Sequence, residues 1–350
     1  MSKDTLKSLF GAKDYFEILE EGLEYIEDRK IGKIKSIKTP WLGVNKASIN
    51  GLEWGSMMTI GARPGAGKTL IVSQFLREIH KNNPTQKFNI LEFQFEMGPK
   101  QSATREFAAQ TALDYNVVLS TEREIETFSV NLMKQHLQDI RDGHDNGIFR
   151  KQINRSLSHP EIRKAVHMAY AEMGGKPLII TIDHSWLIKK SPDEREKIST
   201  LYNTVEMLMQ LKNELPIIVL MITQLNRSIE EPTRKTPGTI GNYPTSSDIF
   251  GGDALMQGSD MVVVLSRPAK NDIWIYGPKG YIVKDDDIFM HLLKVRNGGD
   301  DVNVLFMKAE FKKQQMIEVS EPQGSNTSFV PRSRRNSQPS IQNDIDVDDI

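Results

Sequence analysis

The sequence predicts an α/β fold with a mainly parallel β-sheet that is flanked by helices and followed by a C-terminal β-hairpin. Short, uniformly apolar runs alternate with helical stretches between residues 56 and 310. Such runs are typical of strands buried on both faces, and strands that alternate with helices favour a parallel sheet. A glycine-rich turn joins the first apolar run to the helix after it, which is where an α/β protein can bind phosphate.

The individual elements follow from these patterns in chain order. The predicted strands are residues 57–62, 88–95, 177–183, 216–223 and 260–265, and the predicted helices between them are residues 69–82, 101–113 and 199–215. Residues 287–296 and 303–311 have no helical segment between them, and the separating Asn-Gly-Gly-Asp-Asp indicates a β-hairpin.

A further helix is predicted at residues 14–30. Asp14 stands at its N-cap and Glu17 three residues later, which is the pattern of a capping box. Its apolar residues recur at helical spacing, and its other face is strongly acidic. An isolated helix of this length is marginal in water, so we expect it to pack on its own domain or on a neighbouring subunit.

The remaining segments divide the chain. Residues 31–46 are interpreted as a linker with four lysines, and residues 114–176 as a helical insertion. Residues 226–250 are rich in Pro, Gly, Thr and Ser, which favours a long functional loop. We predict three regions: an N-terminal helix and linker (1–50), a nucleotide-binding domain (51–318) and a disordered tail with an acidic end (319–350).

The composition limits the possible functions. The chain has 350 residues, a formal net charge of −1 and no cysteine. Disulfides and cysteine-ligated metal centres are therefore excluded. Without a global basic field, any nucleic-acid binding depends on locally placed Lys and Arg. No run of about 18 apolar residues predicts a membrane span, and a cytoplasmic protein is the expectation.

Residues 62–69, Ala-Arg-Pro-Gly-Ala-Gly-Lys-Thr, have the spacing of a Walker A phosphate loop, with Ala in place of its first Gly. Backbone N–H groups of such a loop and of the following helix converge on phosphate oxygens. Lys68 would reach the β- and γ-phosphates of ATP, and the Thr69 hydroxyl would bind Mg²⁺. The alternative is a chance glycine-rich turn, but a strand before and a helix after favour the phosphate loop. The predicted nucleotide contacts are Ala62, Arg63, Pro64, Gly65, Ala66, Gly67, Lys68, Thr69 and Leu70.

Polar residues at three strand ends complete a candidate ATPase site. Asp183 ends the run LIITID, where a carboxylate can support the metal, and Glu96 ends NILEFQFE, where it can act as a general base. Gln224 ends the next apolar strand and could sense the γ-phosphate. Each residue alone also suits a solvated strand end. Together they form a stronger pattern, because ligands gather at the carboxyl edge of parallel sheets.

These motifs resemble the C-terminal ATPase domain of DnaB-type replicative helicases. The similar segments are GARPGAGKT, FQFEMGPKQSATREFAAQTA, LIITIDHSWLI, TQLNRSIE, SSDIFGGDALMQGSDMVVVLSRP and LLKVRNGG, in this order over about residues 15–315. The resemblance implies a RecA-like P-loop NTPase core, hexameric rings and ATP hydrolysis between subunits. It also implies that Arg105 belongs to the nucleotide site and that Lys294 and Arg296 reach the ATP of the next subunit. Without the resemblance, charges alternating on an exposed strand are commonplace.

The same resemblance concerns DNA. It aligns Asp248, Ala254, Gln257 and Asp260 with the family's DNA-loop segment. Where the family commonly has Arg-Glu-Ser-Gly, this chain has Phe250, Gly251, Gly252 and Asp253, which stay the predicted DNA contacts of this loop. Arg227, Arg234 and Lys235 are candidates for its positive charge, with a solvated loop as the alternative. Only about 50 residues precede the core, which suggests a phage or mobile-element relative with a shortened N-terminal region.

The motifs and the resemblance together predict an ATP-dependent helicase that unwinds forked duplexes. The resemblance implies that its hexameric ring moves 5′ to 3′ on single-stranded DNA. One alternative is a RecA-like DNA-dependent ATPase that loads or remodels proteins without processive unwinding. A non-catalytic scaffold is a third. The tail carries Arg332, Arg334 and Arg335 and ends in NDIDVDDI. It is either a solvating segment or a docking peptide for a primase, helicase loader, polymerase or single-strand-binding partner.

Overall fold

The computed structural model describes residues 7, 10–236, 240–298 and 303–322. Apart from residues 319–322, the predicted tail and its arginine cluster lie outside the described residues. The helices are α1 (Tyr15–Lys30), α2 (Leu42–Ala47), α3 (Lys68–Asn82), α4 (Pro99–Thr111), α5 (Tyr115–Val118), α6 (Thr127–Asp145), α7 (His159–Glu172), α8 (Lys197–Glu214) and α9 (Gly252–Gly258). No helix among the described residues has both the length and the apolar character that crossing a membrane requires.

The strands of the main sheet are β1 (Ser56–Ala62), β2 (Asn89–Gln94), β3 (Arg150–Ile153), β4 (Leu178–Asp183), β5 (Ile217–Gln224), β6 (Met261–Ser266), β9 (Asp287–Val295), β10 (Val304–Glu310) and β11 (Gln315–Val319). The two-residue strands β7 (Ile275–Tyr276) and β8 (Tyr281–Ile282) form a separate hairpin between β6 and β9. Their order within the described chain is β11-β10-β9-β6-β1-β5-β4-β2-β3. The strands from β6 to β3 are parallel, and β9, β10 and β11 are antiparallel. The carboxyl ends of β1, β2, β4 and β5 therefore meet at one edge.

Helices cover both faces of this sheet. Successive residues of β1 point to opposite sides, so that Met58 lies in a core beneath α3 and Met57 in a core beneath α7 and α8. Burial of each large apolar side chain contributes about 1.5–3 kcal/mol, and this accounts for the uniformly apolar central strands. The five predicted strands and the mainly parallel α/β sheet are confirmed, and the C-terminal hairpin is present as β9 and β10.

The interpretation of residues 31–46 as a linker is wrong for its second half. Trp41 and Val44 are buried in the core beneath α3, and Ile37 exchanges main-chain hydrogen bonds with Leu52. The indole Nε1 of Trp41 donates to the carbonyl of Met316 in β11 at 3.2 Å. The four lysines dominate the local composition, but the few apolar residues between them decide the packing. The division of the chain at residues 50 and 318 stays a prediction.

Residues 114–176 are not wholly helical, because they contain β3. This edge strand pairs in parallel with β2, and its sequence Arg-Lys-Gln-Ile lacks an apolar run. Arg150 Nε donates to Glu92 Oε1 of β2 at 2.6 Å. The strand thus forms through its partner's edge and this ion pair, neither of which local sequence reveals. Strand β11, which pairs antiparallel with β10 beyond the predicted hairpin, was not predicted either.

Helix α1 has the predicted capping box but buries none of its residues. Its apolar positions Tyr15, Phe16, Leu19, Leu23 and Ile26 are each between 54% and 73% exposed. Near its end, the Tyr25 hydroxyl donates to Glu53 Oε2 at 2.9 Å, and Arg29 pairs with the same carboxylate. The helix is therefore tethered to the core by polar contacts while its apolar face is open within a single chain.

Candidate nucleotide and nucleic-acid site

The phosphate loop joins β1 to α3 at the carboxyl edge of the sheet. Gly65 and Gly67 have φ values of +77° and +99°, a region that L side chains rarely adopt. A Cβ on Gly67 would also lie 2.3 Å from the Met316 side chain of β11. Gln74 of α3 holds β11 in place by exchanging two hydrogen bonds with the main chain of Met316. Strand β11 therefore packs against the loop from behind, and the positive φ of Gly67 is what disfavours a side chain there.

Lys68 begins α3 and points back towards its own loop. Its Nζ donates to the carbonyl of Ala62 at 3.3 Å. Burial lowers the pKa of Lys68, and the nearby carboxylates of Asp183 and Glu96 partly oppose this shift. These two acids and the lysine, predicted from three separate segments, therefore lie close enough to interact electrostatically.

Asp183 ends β4 as a buried acid. Its Oδ2 accepts a hydrogen bond from Gln94 at 3.4 Å, while its Oδ1 has no partner among the described residues. Burial, with a contribution from the charge of Glu96, raises the pKa of Asp183 to about 6. Thr69 and Asp183 line one cavity of about 30 Å³. An unpartnered carboxylate oxygen and a hydroxyl beside a phosphate loop fit Mg²⁺, which binds through few protein oxygens together with phosphates and water.

The burial of Asp183 makes a prediction about stability. A raised pKa means that the folded state holds the proton more tightly, so this stabilisation is present below pH 4 and is lost as the pH rises through about 6. Without metal at pH 7.5, Asp183→Asn is expected to be more stable than the original chain by up to about 3 kcal/mol, the equivalent of this shift. Urea unfolding between pH 4.5 and 7.5 should show the difference shrinking as the pH falls. The exposed Asp193→Asn is the control, and equal pH dependence of both variants would contradict the prediction.

Glu96, His184 and Gln224 form a row beside Asp183. Glu96 lies just beyond β2 with its side chain 53% exposed, and its Oε2 is 3.8 Å from His184 Nε2. Gln224 Nε2 is 3.2 Å from the same imidazole nitrogen. Burial lowers the pKa of His184, which favours the neutral ring. Sequence reasoning missed His184, although its position directly after Asp183 was a signal that could have identified it.

Two arginines near the phosphate loop differ in their surroundings. Arg105 of α4 lines the cavity of Asp183 and Thr69 and lies over the Tyr115 ring at 5.3 Å. Arg63, by contrast, donates two hydrogen bonds to Glu230 and one to the carbonyl of Leu225. The guanidinium of Arg63 therefore ties the phosphate loop to the segment after β5 and does not point into the cavity.

Arg267 is a further cation beside the phosphate loop that sequence reasoning missed. It follows β6, and its Nη1 lies 3.4 Å from the carbonyl of Gly65. Its guanidinium lies 4.3 Å from the centre of the Phe311 ring. Its position directly after the apolar strand β6 could have identified it, because Gln224 was identified from its position at the end of an apolar strand.

Lys294 and Arg296 lie at the opposite edge of the sheet from the phosphate loop. Val295 pairs with Met261, which pairs with Met58, whereas the loop begins after Ala62. Four strand residues alone span roughly 13 Å. Neither side chain can therefore reach the phosphate loop of its own chain.

At that edge both cations are held by the chain. Arg296 Nη1 is 2.9 Å from Asp260 Oδ1, and its side chain is 49% exposed. Its Nη2 donates to the carbonyl of Gln257 at 3.2 Å, and Lys294 donates to the carbonyl of Met256. Asp260 also accepts hydrogen bonds from Lys212 and from the main chain of Met57. Arg296 is thus positioned at the surface and not in the hydrophobic interior.

The three cations predicted to contact DNA differ in how many hydrogen bonds hold them to the rest of the chain. Arg227 is exposed, and Lys235 donates to the carbonyl of Asn271 at 3.1 Å. Arg234 uses its guanidinium inside the loop: it forms a bidentate ion pair with buried Asp248 and donates to the carbonyls of Gly241 and Tyr243. The structure therefore gives Arg234 the geometry of a loop-holding residue.

The remaining loop positions, Phe250, Gly251, Gly252 and Asp253, turn the chain into α9. Gly251 has a φ of +66°, Phe250 is half-buried and Asp253 is exposed. Ala254 is buried, and Gln257 is exposed near Arg296. These residues lie beside the end of β5, because the amide of Phe250 donates to the carbonyl of Gln224 at 3.1 Å.

Arg234→Ala is expected to destabilise the fold by about 3–5 kcal/mol, because the carboxylate of Asp248, 2% exposed, loses its cationic partner and keeps, among the described residues, only the hydrogen bonds from Thr245. Arg227→Ala in the same loop removes an exposed charge and should change stability by no more than about 0.5 kcal/mol. Urea denaturation of both variants measures the difference. Equal stability of the two would show that the ion pair does not hold the loop.

Comparison with known proteins identifies the family. A family model described as the DnaB-like helicase C terminal domain matches residues 37–315. The chain belongs to this DnaB-like helicase family. The recognition of DnaB-type helicases from sequence motifs is thereby confirmed, and the matched range includes the buried segment around Trp41.

Curated relatives of this DnaB-like chain carry the name replicative DNA helicase DnaB. The protein of Buchnera aphidicola subsp. Baizongia pistaciae is 25% identical over 285 residues, which are 76% of this chain and 55% of that protein. The protein of Helicobacter pylori is 26% identical over 265 residues, covering 73% and 49% respectively. The DnaB-like chain thus spans about half the length of these relatives.

Solved structures share the fold of the DnaB-like chain. An ATPase domain at 17% identity has a TM-score of 0.72 and covers 88% of this chain and 100% of its own. A DnaB-like replicative helicase, described together with its interactions with primase, has a TM-score of 0.67 at 18% identity and covers 85% and 65%. These similarities confirm the RecA-like core predicted from the sequence.

Proposed function

We propose that this DnaB-like chain is the ATPase subunit of a replicative DNA helicase, in which a homohexameric ring hydrolyses ATP between subunits and moves 5′ to 3′ on single-stranded DNA. The observation that carries the proposal is the separation of the catalytic groups. Lys68 and Asp183 lie at the carboxyl edge of the sheet, whereas Arg296 lies at the amino edge. Only an adjoining copy could bring these two edges together.

Within one site, the chain's residues divide the chemistry. Main-chain N–H groups of the phosphate loop and Lys68 would bind the phosphates, while Thr69 and Asp183 would hold Mg²⁺. The metal, when bound, neutralises charge on the β- and γ-phosphate oxygens. Glu96 would orient and deprotonate the attacking water, and its exposure leaves room for that water. Arg105, which lines the same cavity as Thr69 and Asp183, would add a further cation to this site.

Arg296 and Lys294 of the next subunit would neutralise charge on the transferred phosphoryl group. Arg296 is well suited to this role because it is half exposed and oriented by Asp260. Gln224 would respond to the loss of the γ-phosphate, and the loop that follows it would move with single-stranded DNA. Arg227 and the segment from Phe250 to Asp253 are the proposed contacts of that loop with the DNA backbone.

The open face of α1 supports assembly. Five apolar side chains exposed on one helix are unfavourable in water, and a neighbouring copy would cover them. We propose that α1 docks on the adjoining subunit of the ring.

Forked duplex DNA is the proposed substrate, in the cytoplasm of a bacterium or of a phage-infected host. A primase, helicase loader, polymerase or single-strand-binding protein is a proposed partner of the tail.

The test combines assembly and unwinding. Native mass measurements with ATP and Mg²⁺ are expected to give a six-fold species, and a labelled fork should be unwound by the original chain but not by Lys68→Ala. Glu206→Gln, an exposed substitution on α8, should leave both results unchanged. Stimulation of the ATPase by single strands without unwinding would favour a loading or remodelling ATPase. Nucleotide binding without turnover would indicate a scaffold and overturn the proposal.

A further inference from the structure

Two aromatic side chains form a partly exposed pair beside the nucleotide site. The rings of Trp186 and Phe250 lie 4.3 Å apart at an interplanar angle of 79°. Trp186 is 41% exposed, although tryptophan is highly buried on average. In an edge-to-face pair one ring covers at most one face of the other, and the exposed part of Trp186 is open to a ligand.

Both rings are fixed by the strands that carry the ATPase residues. Trp186 follows β4 by three residues, and the hydroxyl of the preceding Ser185 donates to Thr223 Oγ1 of β5 at 3.0 Å. The amide of Phe250 donates to the carbonyl of Gln224, the last residue of β5, at 3.1 Å. The two segments that carry the rings are therefore both hydrogen-bonded to β5.

Lysines lie close to Trp186 in space or in sequence. Lys197 Nζ lies 5.9 Å from the centre of the Trp186 ring and donates to the carbonyl of Ile188. Lys189 and Lys190, three and four residues after Trp186, are both exposed. An apolar contact for a protein partner does not require these cations, whereas an aromatic surface bordered by lysines suits a base with its phosphates.

We propose that Trp186 and Phe250 form a stacking surface for an unpaired base of single-stranded nucleic acid, with the neighbouring lysines facing its backbone. This rests on the proposed function, and it adds a contact to the base beyond the contacts to the backbone. Phe250 is bonded to Gln224, which contacts His184 beside Glu96. The pair is thus linked through one main-chain hydrogen bond and the side chains of Gln224 and His184 to the carboxylate of Glu96, the proposed general base.

The experiment compares oligo-dT with an abasic oligonucleotide of equal length, bound to the full chain with a non-hydrolysable ATP analogue. The original chain should bind oligo-dT more tightly. Trp186→Leu should weaken oligo-dT binding by roughly 5- to 150-fold, the range of one stacked base, and leave abasic binding unchanged. Trp186→Tyr, which keeps an aromatic face, should restore the preference for bases. Loss of a mere structural support would weaken both ligands.

Fluorescence supplies an independent measurement, because Trp274 is also exposed, at 50%, in the region of the small β7–β8 hairpin. Oligo-dT should quench the emission of the original chain and of Trp274→Phe, and Trp186→Phe should lose this quenching. Equal affinity for the two oligonucleotides in the original chain would overturn the stacking proposal while leaving the helicase function intact. A smaller assembly in Trp186→Leu would also overturn it, since the pair would then be a contact between subunits. If no variant binds either oligonucleotide, the helicase proposal itself fails.

Discussion

Replacing Arg296 by alanine is expected to reduce ATP hydrolysis by roughly 10³- to 10⁵-fold while nucleotide binding is retained. The reason is its place at the edge of the sheet remote from its own phosphate loop, where Asp260 orients it at the surface. The loss should appear in kcat measured under saturating ATP. Arg163→Ala is the matched control, because Arg163 also pairs with a carboxylate, Glu214 at 2.5 Å, but lies on the outer helix α7.

A mixing experiment decides whether Arg296 acts on a neighbour. Arg296→Ala retains an intact phosphate site without the finger, and Lys68→Ala retains the finger without an intact site. Mixed assemblies should hydrolyse ATP faster than either variant alone, because some interfaces combine the two intact halves. If mixing restores nothing although the subunits co-assemble, Arg296 does not act in trans, and the split-site mechanism is wrong.

Glu96→Gln is expected to reduce hydrolysis by roughly 10²- to 10⁴-fold, the range for loss of a general base. The substitution keeps the size of the side chain, so the row that includes His184 and Gln224 should persist. Binding of a fluorescent ATP analogue should stay within a few-fold of the original chain. This separation of binding from turnover distinguishes Glu96 from Lys68, whose loss should weaken phosphate binding as well.

The control for Glu96 is Glu206→Gln, which removes an equivalent exposed carboxylate from α8. It should hydrolyse ATP at the original rate. Hydrolysis by Glu96→Gln within tenfold of the original rate would assign the base to another group. The general base would then have to lie outside the row of Glu96, His184 and Gln224.

The arrangement at the carboxyl edge was largely predictable from sequence. Apolar runs identified β1, β2, β4, β5 and β6, and parallel strands bring their ends together whatever the details of packing. Asp183, Glu96 and Gln224 could therefore be assigned to one edge from their places after these runs. His184 and Arg267 also follow apolar strands, so the same rule could have assigned them to this edge. They were not chosen, because the resemblance to DnaB-type helicases drew attention to other residues of the same segments.

Other features depend on contacts between distant segments. Strand β3 has no apolar run and forms because β2 offers an open edge and Glu92 pairs with Arg150. In the sequence, Arg234 suited an unpaired loop cation. In the fold, both of its terminal nitrogens donate hydrogen bonds to Asp248, fourteen residues later in the chain. Charge in a loop sequence does not reveal whether the charge is paired, because pairing depends on how the loop folds back.

By itself, the sequence determined the phosphate loop, the order of the central strands along the chain and the family. These depend on local chemistry: glycines that permit positive φ, apolar runs that must be buried, and a lysine and threonine at a helix start. Only the tertiary structure decided that Arg296 lies at the far edge, that Arg63 faces Glu230, and that Trp186 meets Phe250. The physical reason is that side chains from distant segments acquire their partners only when the sheet brings those segments together.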